Sequence, residues 1–220
     1  NSIKYLATMS HVLSHKQVLA LIGDDPIGFE PGTAFSYSNT GYFLLGMVIE
    51  EASGQSYADF LETRIFGPLE MTATLYGGYE PIVPNRARGY ADKGDLLVNA
   101  APLSMKTPYA AGALLSTVPD LAKWHAALER GELLSAASYE AMYRPVVLAD
   151  GSERPYGYGW AVGKHGERRL ISHGGGINGF RTEIARYPDE RLCVIVLANH
   201  QAAAVDALAR GIADVLLGGM

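Results

Sequence analysis

Two short clusters combine residue types that can move protons and steady developing charge. The first is Tyr37-Ser38-Asn39, which follows the Pro31-Gly32 turn and immediately precedes an apolar helical pattern. A phenol and a carboxamide one residue apart present their side chains together if Ser38 turns away, beside the positive pole of the helix. A phenolate favoured by cationic neighbours can take a proton from a nucleophile. The same residues also suit a plain helix start, with Asn39 or Thr40 as the N-cap. The second cluster is His173, followed by Gly174, Gly175 and Gly176. It reads as the end of a strand. The absence of side chains after it would set an imidazole beside exposed backbone N–H groups, which can stabilise an oxyanion. The alternative is a histidine in a tight connection.

Other motifs carry less. G-x-S-x-G, H-E-x-x-H, Walker A and EF-hand patterns are absent. Gly174, Gly176 and Gly179 match G-x-G-x-x-G formally, but the residues that follow, FRTEIARYP, alternate like a strand and do not open a helix. Nucleotide binding is therefore not expected. Cys193, inside RLCVIVLA, reads as a buried small side chain, and His125, beside Trp124, as helix packing or surface. His11, His15 and His165 show no ligand spacing, and a single Cys excludes a thiolate zinc cluster and a disulfide framework, so no metal or other cofactor is expected.

The elements that must position these residues follow from periodicity and punctuation. A short helix is predicted over 12–22, a better one over 41–52 with Gly54 beyond it, and a third capped by Ser56 with Asp59 three residues on. Residues 77–109 lack periodicity and read as a functional loop or undetected short strands. Thr117, Pro119 and Asp120 open a helix that Gly131 closes, and Ser135 caps another through Met142. After about residue 155 the period becomes two: YGYGWAVG, RRLISH, FRTEIARY and RLCVIVLAN read as strands, followed by a closing helix. The expected class is α+β, with residues 1–150 mainly helix and loop and 151–220 an antiparallel sheet with a covering helix.

The 220 residues are 48% hydrophobic and 19% charged, which excludes wholesale disorder. Residues 1–100 hold 6 basic against 11 acidic groups and the rest 12 against 12, a balance that argues against a nucleic-acid partner. No run of 18 apolar residues occurs, so no transmembrane segment is expected.

The order FEPGTAFSYSNTGYFLLGMVIEEASGQSY, PLEMTAT, AAGALLSTVPDLAKW, YGYGW and ISHGGGINGF resembles the serine β-lactamase/DD-peptidase superfamily, in particular its class C β-lactamase-like group of carboxypeptidases and esterases. The resemblance implies a β-lactamase/transpeptidase-like fold and a serine hydrolase acting on an amide, peptide, lactam or ester bond. It makes Tyr37-Ser38-Asn39 the Y-x-N element, with Tyr37 moving protons and Asn39 orienting the substrate and a catalytic lysine. His173-Gly174-Gly175 becomes the third element: His173 supplies a polar, potentially cationic group, and the backbone of Gly175 and Gly176 pairs with the acyl group and stabilises the oxyanion. It also implies a small or peptide-like acyl substrate and export or a periplasmic location. A histidine where lysine is commoner favours esterase or peptidase action over efficient β-lactam hydrolysis.

The family's first element, Ser-x-x-Lys, is missing. Three residues before the six lysines stand Asn1, Leu13, Tyr90, Leu103, Asp120 and Ala161. The expectation is that the nucleophile, and the N-terminal part of the fold, lie in a segment outside this chain, which alone would be inactive. The alternatives are a binding protein that kept the fold and a different nucleophile, Ser116 or Ser172; adjacent strand residues face opposite ways, which counts against a Ser172–His173 pair.

Overall fold

The computed structural model describes residues 14–23, 26–78 and 82–218. In chain order its elements begin with α1 (His15–Ile22), α2 (Asn39–Ser53) and α3 (Tyr57–Leu61), which runs into a π-helical turn at Glu62–Phe66. Then come β1 (Leu75–Tyr76), β2 (Tyr90–Lys93), β3 (Leu96–Asn99), a 3₁₀ turn at Tyr109–Ala111 and β4 (Leu114–Leu115). Helices α4 (Val118–Arg130) and α5 (Ala136–Met142) precede β5 (Val146–Val147) and β6 (Glu153–Arg154). The chain closes with β7 (Ala161–His165), β8 (Arg168–Ile177), β9 (Phe180–Tyr187), β10 (Leu192–Ala198) and α6 (Val205–Leu216). These elements form two compact units, residues 1–86 with 101–116 and residues 87–100 with 117–220. No helix among the described residues is long and apolar enough to cross a membrane.

In the first unit α1, α2 and α3 each start on a serine. Ser14 and Gln17 form a reciprocal capping box ahead of α1; residues 12 and 13 of the expected helix lie outside the described residues. Ser38 caps α2, its hydroxyl accepting the Gly41 N–H at 3.0 Å, and Gly54 ends the helix at φ +68°. Ser38 therefore takes the place expected for Asn39 or Thr40. Its backbone is still extended while its short side chain reaches the third helical N–H, which is what an N-cap requires. Ser56 caps α3 as predicted, accepting the Asp59 N–H and donating to the Asp59 carboxylate at 2.7 Å. The core is aromatic: Phe43 and Tyr57 both pack their rings on Tyr109. Gly46 permits this, because a Cβ there would lie 2.5 Å from the Tyr109 ring.

In the second unit the sheet order is β10-β9-β8-β7, antiparallel throughout. Leu170, Ala185, Tyr187 and Val194 pack against Ala209 and Ala213 of α6. Trp160, just ahead of β7, and Ile171 of β8 pack against Leu128 of α4, with Trp124 stacked on Trp160. Buried Arg186 of β9 belongs with this second cluster: it donates to His125, Glu129 and Tyr143 and lies over the rings of Tyr143 and Trp160. The unpatterned 77–109 stretch contains a real hairpin, β2–β3, turned at Gly94 and joined to the end of β10 by Tyr90 N–H to Asn199 O and Gln201 N–H to Tyr90 O. Its alternation was masked because Leu96, Leu97 and most of their neighbours are exposed.

Candidate active site

Ser38 spends its hydroxyl on the start of α2, so it turns away from its neighbours. Tyr37 is left 51% exposed, and Asn39, the first residue of α2, is exposed as well. Both stand at the N-terminal pole of a 15-residue helix, where unpaired N–H groups favour negative charge. Tyr37 lies near Tyr42, whose hydroxyl is pushed above its ordinary range by burial and secondarily by Tyr37.

His173 does not end a strand. β8 continues through the three glycines to Ile177, with His173 opposite Ile184, Gly174 opposite Glu183, Gly175 opposite Thr182 and Gly176 opposite Arg181. Cross-strand side chains lie close to where the Cβ atoms of these glycines would stand. A Cβ on Gly174 would stand 2.7 Å from Glu183 Oε2; one on Gly175 would meet the Thr182 hydroxyl, and one on Gly176 the Arg181 guanidinium. On the other side the ladder between β7 and β8 stops at the Ala161–Ser172 pair. Backbone groups of an antiparallel strand alternate in direction, so beyond Ser172 every second residue of β8 points away from β9, past the end of β7.

The His173 ring is held from the segment before β7. Tyr156 Oη lies 2.8 Å from His173 Nε2, with the two rings edge to face. Burial pushes the imidazole below its ordinary pKa, while a backbone hydrogen bond with Gly174 acts the other way. The larger influence, burial, works against a charged ring. Tyr156 escaped the sequence reading, in which YGYGW counted as strand. The available signal was a hydroxylated aromatic five residues ahead of a strand that pairs with the histidine's own.

The two serines weighed as alternative nucleophiles are engaged elsewhere. Ser116 shares a 2.7 Å hydrogen bond with Thr74. Ser172 bonds the carboxyl of Glu183, which burial and Asp206 raise above the usual carboxylate range. The buried surroundings of Cys193 push its thiol up to about 11, as suits a packing residue rather than a nucleophile.

The family described as Beta-lactamase matches residues 2–218, nearly the whole sequence. This chain belongs to the Beta-lactamase family. Among curated relatives of this Beta-lactamase-family chain, Penicillin-binding protein 4* of Bacillus subtilis is 37% identical over 188 residues, 79% of this chain and 41% of the relative. The D-aminopeptidase of Gluconobacter oxydans is 29% identical over 195 residues, 88% of this chain and 37% of the relative. The chain thus spans about two-fifths of the length of these relatives. A D-stereospecific amidohydrolase from Streptomyces sp. matches all of this chain and 65% of its own, with a TM-score of 0.82 at 26% identity. The α+β architecture expected from the helical and strand periodicity is that of the Beta-lactamase family.

Proposed function

We propose that the complete protein is a serine hydrolase that cleaves amide or ester bonds through an acyl-serine, with the nucleophile supplied by residues outside this chain. The serine hydroxyl adds to the substrate carbonyl as Tyr37 takes its proton, and the proton passes to the leaving nitrogen or oxygen as that bond breaks. Water then attacks the acyl-serine by the reverse route, releasing the acid and restoring the serine. Asn39 orients the substrate, and the backbone of Gly175 and Gly176 receives the acyl group and its developing negative charge.

The observation that carries this reading is the half-open glycine strand: β8 is laddered to β9 through Gly174, Gly175 and Gly176, while its ladder to β7 has already ended at Ser172. Backbone without side chains and, among the described residues, without a paired strand on one side suits close approach of an acyl group. The relatives' names add penicillin binding, D-aminopeptidase and amidohydrolase activity to the family setting.

The test uses the protein encoded by the complete gene. Turnover of a generic ester or a D-amino acid amide, with an acyl adduct mapped by mass spectrometry to the serine of a Ser-x-x-Lys segment, is the expected result. A complete sequence lacking that segment, or one that forms no adduct and turns over neither substrate, would replace the hydrolase with a non-catalytic binding protein of the same fold.

A further inference from the structure

Tyr156 and His173 belong to the same compact unit, and neither is an ordinary packing pair. The hydroxyl of Tyr156 meets Nε2 of His173 at 2.8 Å, from a loop that is itself anchored. Tyr156 N–H donates to Arg154 O, its carbonyl accepts from Val146, and it forms an isolated bridge with Ala161, the first residue of β7. Beside it, Gly157 is pinned to the Trp160 carbonyl and has no room for a Cβ against Met142 O. A hydroxyl held on an anchored backbone can fix which ring nitrogen carries a proton.

We propose that Tyr156 is a positioning residue: its hydroxyl donates to Nε2 of His173 and holds the ring as the uncharged Nδ1–H tautomer, which biases the site toward acyl donors without a carboxylate beside the scissile bond. This rests on the hydrolase reading above. The chemistry is simple. A cation at this position would draw a carboxylate by Coulomb attraction, whereas an uncharged imidazole offers only a hydrogen bond. A donated hydrogen bond to Nε2 stabilises the neutral ring against protonation, so Tyr156 opposes the one event that would create the cation. The favoured substrate class is then an amide or ester whose leaving group is uncharged next to the cleaved bond, such as an amino acid amide, over a peptide whose leaving residue ends in a free carboxylate.

Two measurements on the complete protein decide this separately from the hydrolase reading. With ¹⁵N-labelled histidine, and the His173 signals assigned by their loss in His173→Gln, NMR near neutral pH is expected to show the Nδ1–H tautomer. Tyr156→Phe is expected to shift it toward an Nε2–H mixture. An imidazolium or Nε2–H ring in the unmodified protein overturns the proposal whether or not the protein is an enzyme. Kinetically, kcat/KM for a D-amino acid amide is expected to exceed that for the matched dipeptide with a free carboxylate by at least about tenfold, and Tyr156→Phe to narrow that ratio about threefold or more. An active enzyme that prefers the carboxylate-bearing substrate would refute the inference while leaving the hydrolase intact.

Discussion

Nε of Arg186 donates a 3.1 Å hydrogen bond to Nδ1 of His125, a contact that requires an uncharged imidazole. Burial, and then the Arg186 charge, hold His125 below its ordinary value, against a smaller opposing pull from Glu129. His173 is displaced in the same direction, mainly by burial. For both, the folded pKa lies below the unfolded one. At high pH both states are neutral and neither residue contributes to stability; as pH falls through about 6.5 the unfolded chain takes up protons first, and the fold is destabilised. The urea midpoint of the second unit should be level from about pH 8 to 7 and fall between about pH 6.5 and 5. The fall should be smaller in His125→Asn. A midpoint that stays level down to pH 5 would contradict the assignment.

Arg186 is only 3% exposed and relies on Glu129 for its countercharge. Removing that partner should strand a buried cation, so Glu129→Ala is expected to cost about 3 kcal/mol in denaturant unfolding. Replacing both charges with Met should cost clearly less than the single change. Equal losses would show that the pair's packing, and not its charge balance, matters.

Two helical glycines should respond with opposite signs. Gly46→Ala drives a methyl into the Tyr109 ring and the Ala110 side chain, and should destabilise the first unit by about 1–3 kcal/mol. Gly211, in the exposed part of α6, has open space where its Cβ would go, and Gly211→Ala should stabilise by about 0.5–1 kcal/mol. Thermal melts of the two variants would distinguish close approach from mere flexibility.

Replacing Tyr37 with Phe in the complete protein removes one hydroxyl and keeps the ring. If Tyr37 moves protons, turnover should drop roughly 10²–10⁴-fold with the fold intact and substrate binding little changed. Retention of more than about a third of the turnover would take Tyr37 off the list of catalytic residues.

Leu208, Ile212, Val215 and Leu216 leave an exposed apolar stripe on α6. This chain expressed by itself should therefore bind a dye for apolar surface or aggregate. A monomer with a sharp unfolding transition and no dye binding would be the contrary result.

The helix starts at Ser56, Thr117 and Ser135, the stops at Gly54 and Gly131, and the strands over 180–187 and 192–198 were legible in the sequence, because caps and alternation act over three or four residues. The Tyr37 and His173 motifs, and through them the family, were legible for the same local reason. What no local pattern contains is the partner across a strand or loop. The hairpin at 90–99 exists because Tyr90 finds Asn199 and Gln201, more than a hundred residues away. The Gly174–Gly176 run stays a strand because it is laddered to Glu183, Thr182 and Arg181 of β9. The burial of the His173 ring and its contact with the hydroxyl of Tyr156 likewise come into being only when the chain folds.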